Sequence, residues 1–268
     1  MAASITGSEY AMEDRAKPLA GRAALITGSS RNIGRATALA LAGDGADILI
    51  HGQADAEAAE QTAQDIRSLG VRAAVHLVDI TDPDAPERLT NAAMTAFGRI
   101  DIVVCNAAIR RQNPFLDIPL EEFREVISTD LEAPFRLLQT ALPMIIEANK
   151  RDTYGGRVIT LGGTSAYVQT HERAHVVAAK MGLLGITRTI ATEFGALGIT
   201  ANMVAPGHVD TSRGTSAGKR SASGSHRLME RFADVSEIAG MIRHLCGPDG
   251  AYISGQCIHI DGGTYFGT

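Results

Sequence analysis

Short runs of apolar and β-branched residues alternate along the chain with longer segments whose apolar residues recur at helical spacing. This alternation is typical of strands and helices that form a parallel sheet with right-handed crossovers. Runs such as Ile102-Val103-Val104 are continuously apolar, which favours strands covered on both faces. The predicted strands are residues 23–27, 47–52, 73–80, 101–108, 157–163, 200–206 and 256–263. The pattern therefore predicts an α/β protein with a Rossmann-type, doubly wound parallel sheet.

The alternation runs through the chain without an internal repeat or an interdomain linker, and 268 residues fit a single α/β domain. We expect this domain at residues 19–268, after an N-terminal tail at residues 1–18. One segment differs from the rest: TSRGTSAGKRSASGS at 211–225 is rich in Gly and Ser and lacks large apolar side chains. It predicts a mobile loop at about residues 211–229, which carries Arg213, Lys219 and Arg220.

Composition and charge exclude several classes of protein. Hydrophobic residues make up 45% of the chain and charged residues 21%, as in ordinary globular proteins. No apolar run approaches the roughly 18 residues that cross a bilayer, and no secretory signal is visible, so we expect a cytoplasmic protein without a membrane partner. A net charge of -5 offers no basic face to nucleic acid. Cys105, Cys246 and Cys257 are too few and too scattered for a disulfide framework or a metal site.

A glycine-containing loop follows the first predicted strand and precedes the first helical run. Its sequence is TGSSRNIG at residues 27–34. Gly28 permits a tight turn, and backbone N–H groups at the start of the helix can bind a pyrophosphate, where the helix dipole favours negative charge. Glycine spacing alone is a weak signal, but this position between strand and helix indicates a nucleotide-binding loop.

The loop resembles the TGxxxGxG fingerprint of the short-chain dehydrogenase/reductase family. Other stretches resemble the family in the same order, from about residue 19 to residue 263: Asp79 after the third strand, CNAA at 105–108, APG at 205–207, SGQ at 254–256 and DGG at 261–263. Asn32 departs from the fingerprint's middle glycine, and Ala108 departs from the last glycine of the family's NNAG motif. Asn tolerates a left-handed backbone better than other non-glycine residues, so we expect the loop to keep its shape.

The resemblance implies a nicotinamide dinucleotide, and the end of the second strand bears on which one. An acid at that position accepts hydrogen bonds from the ribose hydroxyls of NAD. Here the strand ends in His51-Gly52-Gln53, and Arg31 can bind a 2′-phosphate, so NADP is the predicted cofactor. The predicted cofactor contacts are Gly28, Ser30, Arg31, Asn32, Ile33, Gly34, Gly52, Gln53, Asp79, Ile80, Asn106, Ala107, Ala108, Lys180, Pro206, Gly207, Val209 and Thr211.

The family's chemistry implies a catalytic tyrosine, a lysine four residues later, a serine and an asparagine. The segment from Ala179 to the PG turn resembles the family without a gap and identifies Lys180 as the lysine. Counting back gives Val176 at the tyrosine position and Gly163 at the serine position, while Asp130 stands at the asparagine position. Valine cannot donate a proton, so a loss of about a hundred- to ten-thousandfold is expected unless another group replaces the acid.

Several residues are candidates for that replacement. Ser165 and Tyr167 precede the helix of Lys180 and are tentative catalytic residues. The alternatives are a capping or turn residue for Ser165, and a pocket wall or subunit contact for Tyr167. A register shift of one residue would put His175 at the tyrosine position, but it would break the match around Lys180. Asp130 can either form a structural ion pair with Lys180 or act as a base through a water.

The terminal stretch YISGQCIHIDGG resembles the 3-oxoacyl-acyl carrier protein reductase branch of the family, which implies reduction of a carbonyl with NADPH. Arg110 and Arg111, together with the basic residues of the loop at about 211–229, favour a small-molecule or acyl-carrier substrate that is anionic. Solvated surface charges are the alternative explanation of these residues.

Three functional classes compete. An NADPH-dependent reductase with an atypical active site is the leading hypothesis because Lys180 keeps its family position. The second is an NADP-binding protein without turnover, acting as a sensor or partner subunit. A lyase-type relative that abandoned the nucleotide is disfavoured because Gly28, Arg31, Gly34 and Asp79 persist. The resemblance also implies a homotetramer, or a dimer, packed through helices at about residues 120–149 and 173–194.

Overall fold

The computed structural model describes residues 17–151, 154–211 and 228–267. Within these ranges one parallel sheet is covered by helices on both faces. The strands are β1 (Ala23–Ile26), β2 (Asp47–Gly52), β3 (Ala73–Leu77), β4 (Ile102–Cys105), β5 (Arg157–Leu161), β6 (Thr200–Pro206) and β7 (Cys257–Ile260). The helices are α1 (Asn32–Gly43), α2 (Ala56–Ser68), α3 (Ala85–Phe97), α4 (Leu120–Ile127), α5 (Ala133–Asn149), α6 (Ala174–Phe194) and α7 (Val235–Cys246). A π-helical turn, Ser128–Glu132, joins α4 to α5.

The strand order is β3-β2-β1-β4-β5-β6-β7. The chain builds outward from β1 to β3 and then returns to pair β4 with β1, so the direction of winding reverses between β1 and β4. In doubly wound sheets, ligands bind at such a reversal, outside the carboxyl ends of the strands. The predicted single-domain α/β fold with a Rossmann-type sheet is confirmed.

Apolar side chains fill both sides of the sheet. Leu25 and Val103 pack with α3, α5 and α6 on one side, whereas Ile26 and Val104 pack with α1, α2 and α7 on the other. Successive residues of a strand point to opposite faces, so a strand covered on both faces needs apolar residues at every position. This burial explains the continuous apolar runs in the sequence.

The predicted strands at 47–52 and 200–206 have the observed bounds of β2 and β6. Those at 23–27, 73–80, 101–108, 157–163 and 256–263 extend beyond the observed carboxyl ends, because pairing with the neighbouring strands stops before the predicted ends. Residues 1–16 of the predicted tail lie outside the described residues, as do residues 212–227 of the predicted loop with Arg213, Lys219 and Arg220. None of the helices in the described ranges has the length and hydrophobicity needed to cross a membrane.

Candidate active site

A cleft of about 500 Å³ lies at the carboxyl ends of β1, β3 and β4. It coincides with the reversal of strand order between β1 and β4. The loop before α1, the residues after β3 and β4, and Ser128 and Thr129 of the π turn line it. Its position is the one at which doubly wound sheets bind dinucleotides.

Most of the predicted cofactor contacts meet in this cleft. Those on its wall are Gly28, Arg31, Asn32, Ile33, Gly34, Gln53, Asp79, Ile80, Asn106, Ala107, Ala108 and Thr211. The predicted contacts that are not part of this wall are Ser30, Gly52, Lys180, Pro206, Gly207 and Val209. The cleft therefore gathers the residues that the sequence placed around the pyrophosphate and the adenosine.

Several of the predicted cofactor-binding residues outside the cleft wall make interactions within the protein. Ser30 and Gly52 lie side by side, since a Cβ on Gly52 would be 3.4 Å from Ser30 Oγ. Gly207 follows β6 and donates its N–H to Ile260 O at 2.9 Å. Val209 forms an isolated β-bridge with Ala233. These contacts tie the segment after β6 to β7 and to the residues before α7.

The phosphate loop has the backbone that its sequence predicts. Gly28 has a φ of +63° and Asn32 a φ of +49°, so both adopt the left-handed conformation that favours glycine and tolerates asparagine. A Cβ on Gly34 would lie 2.2 Å from Gly28 O, which leaves no space for a side chain. Asn106 Nδ2 donates to Thr27 O and Gly28 O, each at 2.9 Å, and holds the loop from the β4 side.

The start of α1 fits an anion. Arg31 is the N-cap residue, and its side chain makes no capping hydrogen bond. Helix N-terminal N–H groups without such a cap need another acceptor, and the helix dipole favours a negative one. The loop and α1 together therefore fit the pyrophosphate of a dinucleotide.

An acid that the sequence analysis missed pairs with Arg31 on the cleft wall. Asp55 is the N-cap of α2, where it accepts a hydrogen bond from Ala58 N at 3.0 Å, and its carboxylate also pairs with Arg31. The charge of Arg31 is thus partly balanced within the protein. A signal for Asp55 was present, because an Asp directly before a helical run is a favoured N-cap.

Asp79 follows β3 at the end where the resemblance puts the adenine. Its Oδ1 accepts hydrogen bonds from Thr81 N at 2.9 Å and Thr81 Oγ1 at 2.7 Å, and its Oδ2 accepts one from Gln53 Nε2 at 2.7 Å. Burial opposes the negative charge, but these hydrogen bonds outweigh burial and lower the pKa of Asp79. Asp79 is therefore an ionised acceptor.

His51 is a second residue that the sequence analysis did not identify as functional. Its Nδ1 accepts a hydrogen bond from Gly28 N at 2.9 Å, so the ring of this buried side chain contacts the phosphate loop directly. No one-dimensional pattern marks this contact, because it depends on the parallel register of β1 and β2. His51 lines the cleft together with the loop.

Lys180 and Asp130 form a buried ion pair beside the cleft. Lys180 on α6 places Nζ 3.2 Å from Oδ2 of Asp130, which lies in the π turn. Asp130 Oδ1 accepts a hydrogen bond from Ile109 N at 2.8 Å, whereas Oδ2 makes none within the described residues. The side chain of Lys180 is 9% exposed and that of Asp130 is fully buried. The predicted proximity of these two groups is present, and π turns recur at functional sites.

The predicted tyrosine and serine positions carry no polar side chain. Val176 lies one turn before Lys180 on α6 and packs with Val126 and Ala179. A Cβ on Gly163 would lie 3.6 Å from Ser165 Oγ. The hydroxyl of Ser165 is therefore close to the place where a serine side chain at residue 163 would begin.

Tyr167 faces a different cluster. Its hydroxyl accepts a hydrogen bond from Cys257 Sγ at 3.1 Å and contacts Met203 Sδ at 3.8 Å, and its ring packs edge-on against His259. Burial and the bond from Cys257 raise the pKa of Tyr167. Within the described residues, neither Lys180 nor Asp130 is a hydrogen-bond partner of this phenol. The geometry therefore groups Tyr167 with Cys257, Met203 and His259.

His175 is fully buried between α6 and α4. Its Nε2 lies 3.0 Å from Glu122 Oε1, and Asn113 Nδ2 donates to both oxygens of the same carboxylate at 2.9 Å. His175 is not part of the cleft wall. Its contact with Glu122 connects α6 to α4, and Asn113 links the same carboxylate to the segment after β4.

Arg110 and Arg111 both line the cleft, but they differ in their partners. Arg111 forms a two-point hydrogen-bonded ion pair with Glu125 of α4, at 3.1 and 2.6 Å, which raises the pKa of the guanidinium. Arg110 is exposed. The positive charge that the sequence analysis assigned to this mouth is therefore reduced by Glu125.

Comparison with known families decides the assignment of this fold and cleft. The family model described as enoyl-(acyl carrier protein) reductase matches residues 28–265. The chain belongs to the short-chain dehydrogenase/reductase family. This is an oxidoreductase family. The match to the family model begins at Gly28 of the phosphate loop and ends after β7.

Individual relatives agree with this family. The 3-oxoacyl-[acyl-carrier-protein] reductase FabG of Escherichia coli (strain K12) is 35% identical over 247 residues, which cover 91% of this chain and 98% of the relative. A short chain dehydrogenase from Burkholderia cenocepacia J2315 in complex with NADP has a TM-score of 0.84 at 32% identity, covering 92% and 99% of the two chains. A blue fluorescent protein from a metagenomic library in complex with NADPH has a TM-score of 0.84 at 31% identity, covering 93% and 100%. The expected likeness to 3-oxoacyl-acyl carrier protein reductases is confirmed; the assignment of Val176 and Gly163 to the catalytic positions stays a prediction.

Proposed function

We propose that this short-chain dehydrogenase/reductase is an NADPH-dependent enzyme that reduces a carbonyl group with an atypical active site. Lys180, Asp130 and Ser165 replace the family's tyrosine and serine in this proposal. The observation that carries it is the buried ion pair of Lys180 and Asp130, 3.2 Å apart, beside a cleft that fits a dinucleotide. A buried charged pair next to such a cleft is a common feature of catalytic sites.

NADP is the proposed cofactor, and the NADP-bound relatives support it. In this proposal, Gly28 and the N-terminus of α1 bind the pyrophosphate. Asp79 accepts a hydrogen bond from the adenine, and Arg31 donates hydrogen bonds to the 2′-phosphate. Arg31 has to share its charge between that phosphate and Asp55, with which it pairs. When bound, the reduced cofactor supplies a hydride to the carbonyl carbon.

Ser165 polarises the carbonyl in this proposal. Its hydroxyl lies 3.6 Å from the place of a Cβ on Gly163, so it can reach the region that a serine at residue 163 would serve. A hydroxyl donor aimed at an oxygen that gains negative charge stabilises the transition state. Ser165 is half-buried, and the proposal requires its hydroxyl to face the substrate.

Lys180 delivers the proton that the reduced oxygen needs. Its Nζ is the ammonium on the same helix face as the missing phenol, one turn after Val176. Asp130 Oδ2 lies 3.2 Å from Nζ and makes no hydrogen bond within the described residues, and in this proposal it passes a proton from solvent back to Nζ after turnover. One hydride and one proton thus convert a ketone to an alcohol.

The proposed substrate is a 3-oxoacyl thioester, a keto acid or a similar carbonyl compound, small or attached to an acyl carrier. The E. coli relative, a 3-oxoacyl-[acyl-carrier-protein] reductase, supports the thioester. Arg110 favours an anionic group at the cleft. Arg111 contributes less to that preference, because Glu125 balances its charge.

We also propose a cytoplasmic homotetramer, or a dimer. Phe123 on α4, Phe135 on α5 and Met181 on α6 are 38%, 46% and 44% exposed. Apolar side chains of this kind on neighbouring helices are commonly buried against a symmetry-related copy. They support packing through the helices that the resemblance implies.

An NADP-binding protein without turnover is the second candidate. Two observations favour this candidate. Val176 packs among apolar side chains, and the hydroxyl of Tyr167 is hydrogen bonded to Cys257, so neither residue is placed to act as the acid next to Lys180. Such a protein would act as a sensor or as a partner subunit of an active enzyme.

NADPH oxidation over a panel of keto acids, β-keto esters and acyl thioesters tests the proposal. We expect turnover with at least one carbonyl, and a loss of about a hundredfold or more for Lys180→Met, which removes the proton donor. Lys150→Met is the matched control, since Lys150 is an exposed lysine that pairs with Glu147 on the surface. NADPH binding by fluorescence without turnover on any carbonyl would favour the second candidate.

A further inference from the structure

Every polar group of His51 is hydrogen bonded, although the residue is only 2% exposed. Its backbone N–H donates to Ser29 Oγ at 3.1 Å, and its carbonyl accepts from Ser29 N at 2.8 Å. On the ring, Nδ1 accepts from Gly28 N at 2.9 Å, and Nε2 lies 3.0 Å from Val78 O. Three of these four bonds join the end of β2 to the phosphate loop.

These partners determine the tautomer of the ring. Gly28 N–H can only donate a hydrogen bond and Val78 O can only accept one, so Nδ1 is bare and Nε2 carries the hydrogen. A proton added to Nδ1 would point at the N–H of Gly28. That contact would be lost, and a buried backbone donor would be left without an acceptor.

The surroundings of the ring favour its neutral form. Burial lowers the pKa of His51, the bond to Val78 O opposes this, His76 on β3 lowers the pKa further, and the charge of Asp79 opposes it again. His76 and Asp79 are the titratable groups that act on the ring from the β3 side. From the phosphate loop, the ring meets the backbone of Gly28.

We propose that His51 is a positioning residue of the dinucleotide site, whose neutral ring holds Gly28 in place and whose protonation in mild acid releases the phosphate loop. The inference rests on the proposed dinucleotide site. Gly28 needs such support because its left-handed backbone, at φ +63°, makes the turn that presents the following N–H groups to the pyrophosphate. Cofactor affinity is then full above the titration range of His51 and falls as the pH falls through that range.

Two substitutions separate this role from ordinary packing. His51→Asn keeps an acceptor oxygen at the place of Nδ1 but cannot be protonated near neutral pH. His51→Leu removes the acceptor. Both lose the donor to Val78 O, so they are matched in that respect and differ in the contact with Gly28.

The experiment measures the NADPH dissociation constant by fluorescence from about pH 8 to about pH 5, where histidines titrate. The 2′-phosphate also titrates near pH 6, but it does so equally for every variant and cancels in ratios of dissociation constants. We expect wild-type affinity to fall about tenfold more than that of His51→Asn over this range. His51→Leu is expected to bind about tenfold more weakly at every pH.

Nitrogen NMR of the wild-type protein without cofactor provides a second readout, which needs no variant to fold. A neutral ring with its hydrogen on Nε2 supports the proposal, and a hydrogen on Nδ1 at neutral pH overturns it. Equal pH dependence of NADPH binding for the wild type and His51→Asn also overturns it. Absence of NADPH binding at pH 8 would refute the proposed function instead, and the NMR tautomer would still decide whether His51 holds Gly28.

Discussion

Restoring the two missing side chains, with Val176→Tyr and Gly163→Ser together, should raise carbonyl reduction by orders of magnitude. A general acid contributes about 10²–10⁴ in rate, and a polarising donor adds to it. The affinity for NADPH should stay nearly unchanged, because the phosphate loop and Asp79 are untouched. The prediction depends on the assignment of residues 176 and 163 to the tyrosine and serine positions.

The structure indicates how well each change fits. Gly163 has an extended backbone, and its new Cβ would meet Ser165 Oγ at 3.6 Å, an ordinary contact, so serine is accommodated. Val176 is 4% exposed and packs with Val126 and Ala179, so a tyrosine ring must displace neighbours. Overpacking of this kind costs about 1–3 kcal/mol, which a stable domain tolerates.

Asp130 determines how active the restored site becomes. In the family's chemistry the lysine charge lowers the pKa of the tyrosine, but here Asp130 balances Lys180 at 3.2 Å. Adding Asp130→Asn to the double variant leaves the ammonium unbalanced and should lower the phenol pKa by about one to three units. The falling limb of the pH–rate profile for carbonyl reduction, where the phenol loses the proton that it must donate, should move to lower pH by the same amount.

The assay is NADPH oxidation with a β-keto ester across pH for the double and triple variants, with thermal unfolding and NADPH affinity measured beside it. Thermal unfolding identifies a variant that fails because its core is disrupted. A folded, NADPH-binding double variant that gains no activity on any carbonyl would refute the assignment of Val176 and Gly163.

Three further predictions concern other parts of the molecule. NADPH should bind more tightly than NADH, as measured by fluorescence titration. Arg31→Ala should reduce this preference by about five- to a hundredfold because a charge-assisted contact is lost, and Asp55→Asn should increase it because Arg31 is freed from its ion pair. Unchanged ratios of the two affinities would count against both roles. Tyr167→Phe should leave turnover within about twofold, because the hydroxyl contacts Cys257, and a collapse of the rate would instead identify Tyr167 as the substitute acid. Light scattering at micromolar concentration should report a tetramer or dimer that buries apolar side chains such as Met181, and a monomer would contradict this.

The strand pattern was predictable because burial on both faces demands apolar residues at every strand position. The errors occur at carboxyl ends, where residues such as Val78 and Ile80 continue the apolar pattern but lie beyond the observed strand. The residue pattern of one strand does not indicate where its hydrogen bonding to the next strand stops, because that depends on the neighbouring strand. These same ends form the cleft, so the boundaries that local pattern predicts least well are those next to the site.

The phosphate loop was predictable because its shape comes from local backbone requirements at Gly28, Asn32 and Gly34. The proximity of Lys180 and Asp130 came from the family resemblance, and the structure shows it. His51 was missed because its role arises from the register between strands. The direction in which Tyr167 points was equally hidden, since β6 and β7 supply its partners from far along the chain.

Transfer of deuterium from NADPH labelled at C4 to a carbonyl substrate tests the central claim most directly. The protein is mixed with labelled NADPH and a comparable concentration of substrate, so that a single turnover gives detectable product. The alcohol is analysed by mass spectrometry for the wild type, for Lys180→Met and for the control Lys150→Met. A deuterium-labelled alcohol that forms with wild type and Lys150→Met, and forms about a hundredfold more slowly with Lys180→Met, is the result that the proposal predicts. A wild-type protein that binds NADPH and yields no labelled alcohol from any keto acid, keto ester or acyl thioester would contradict it.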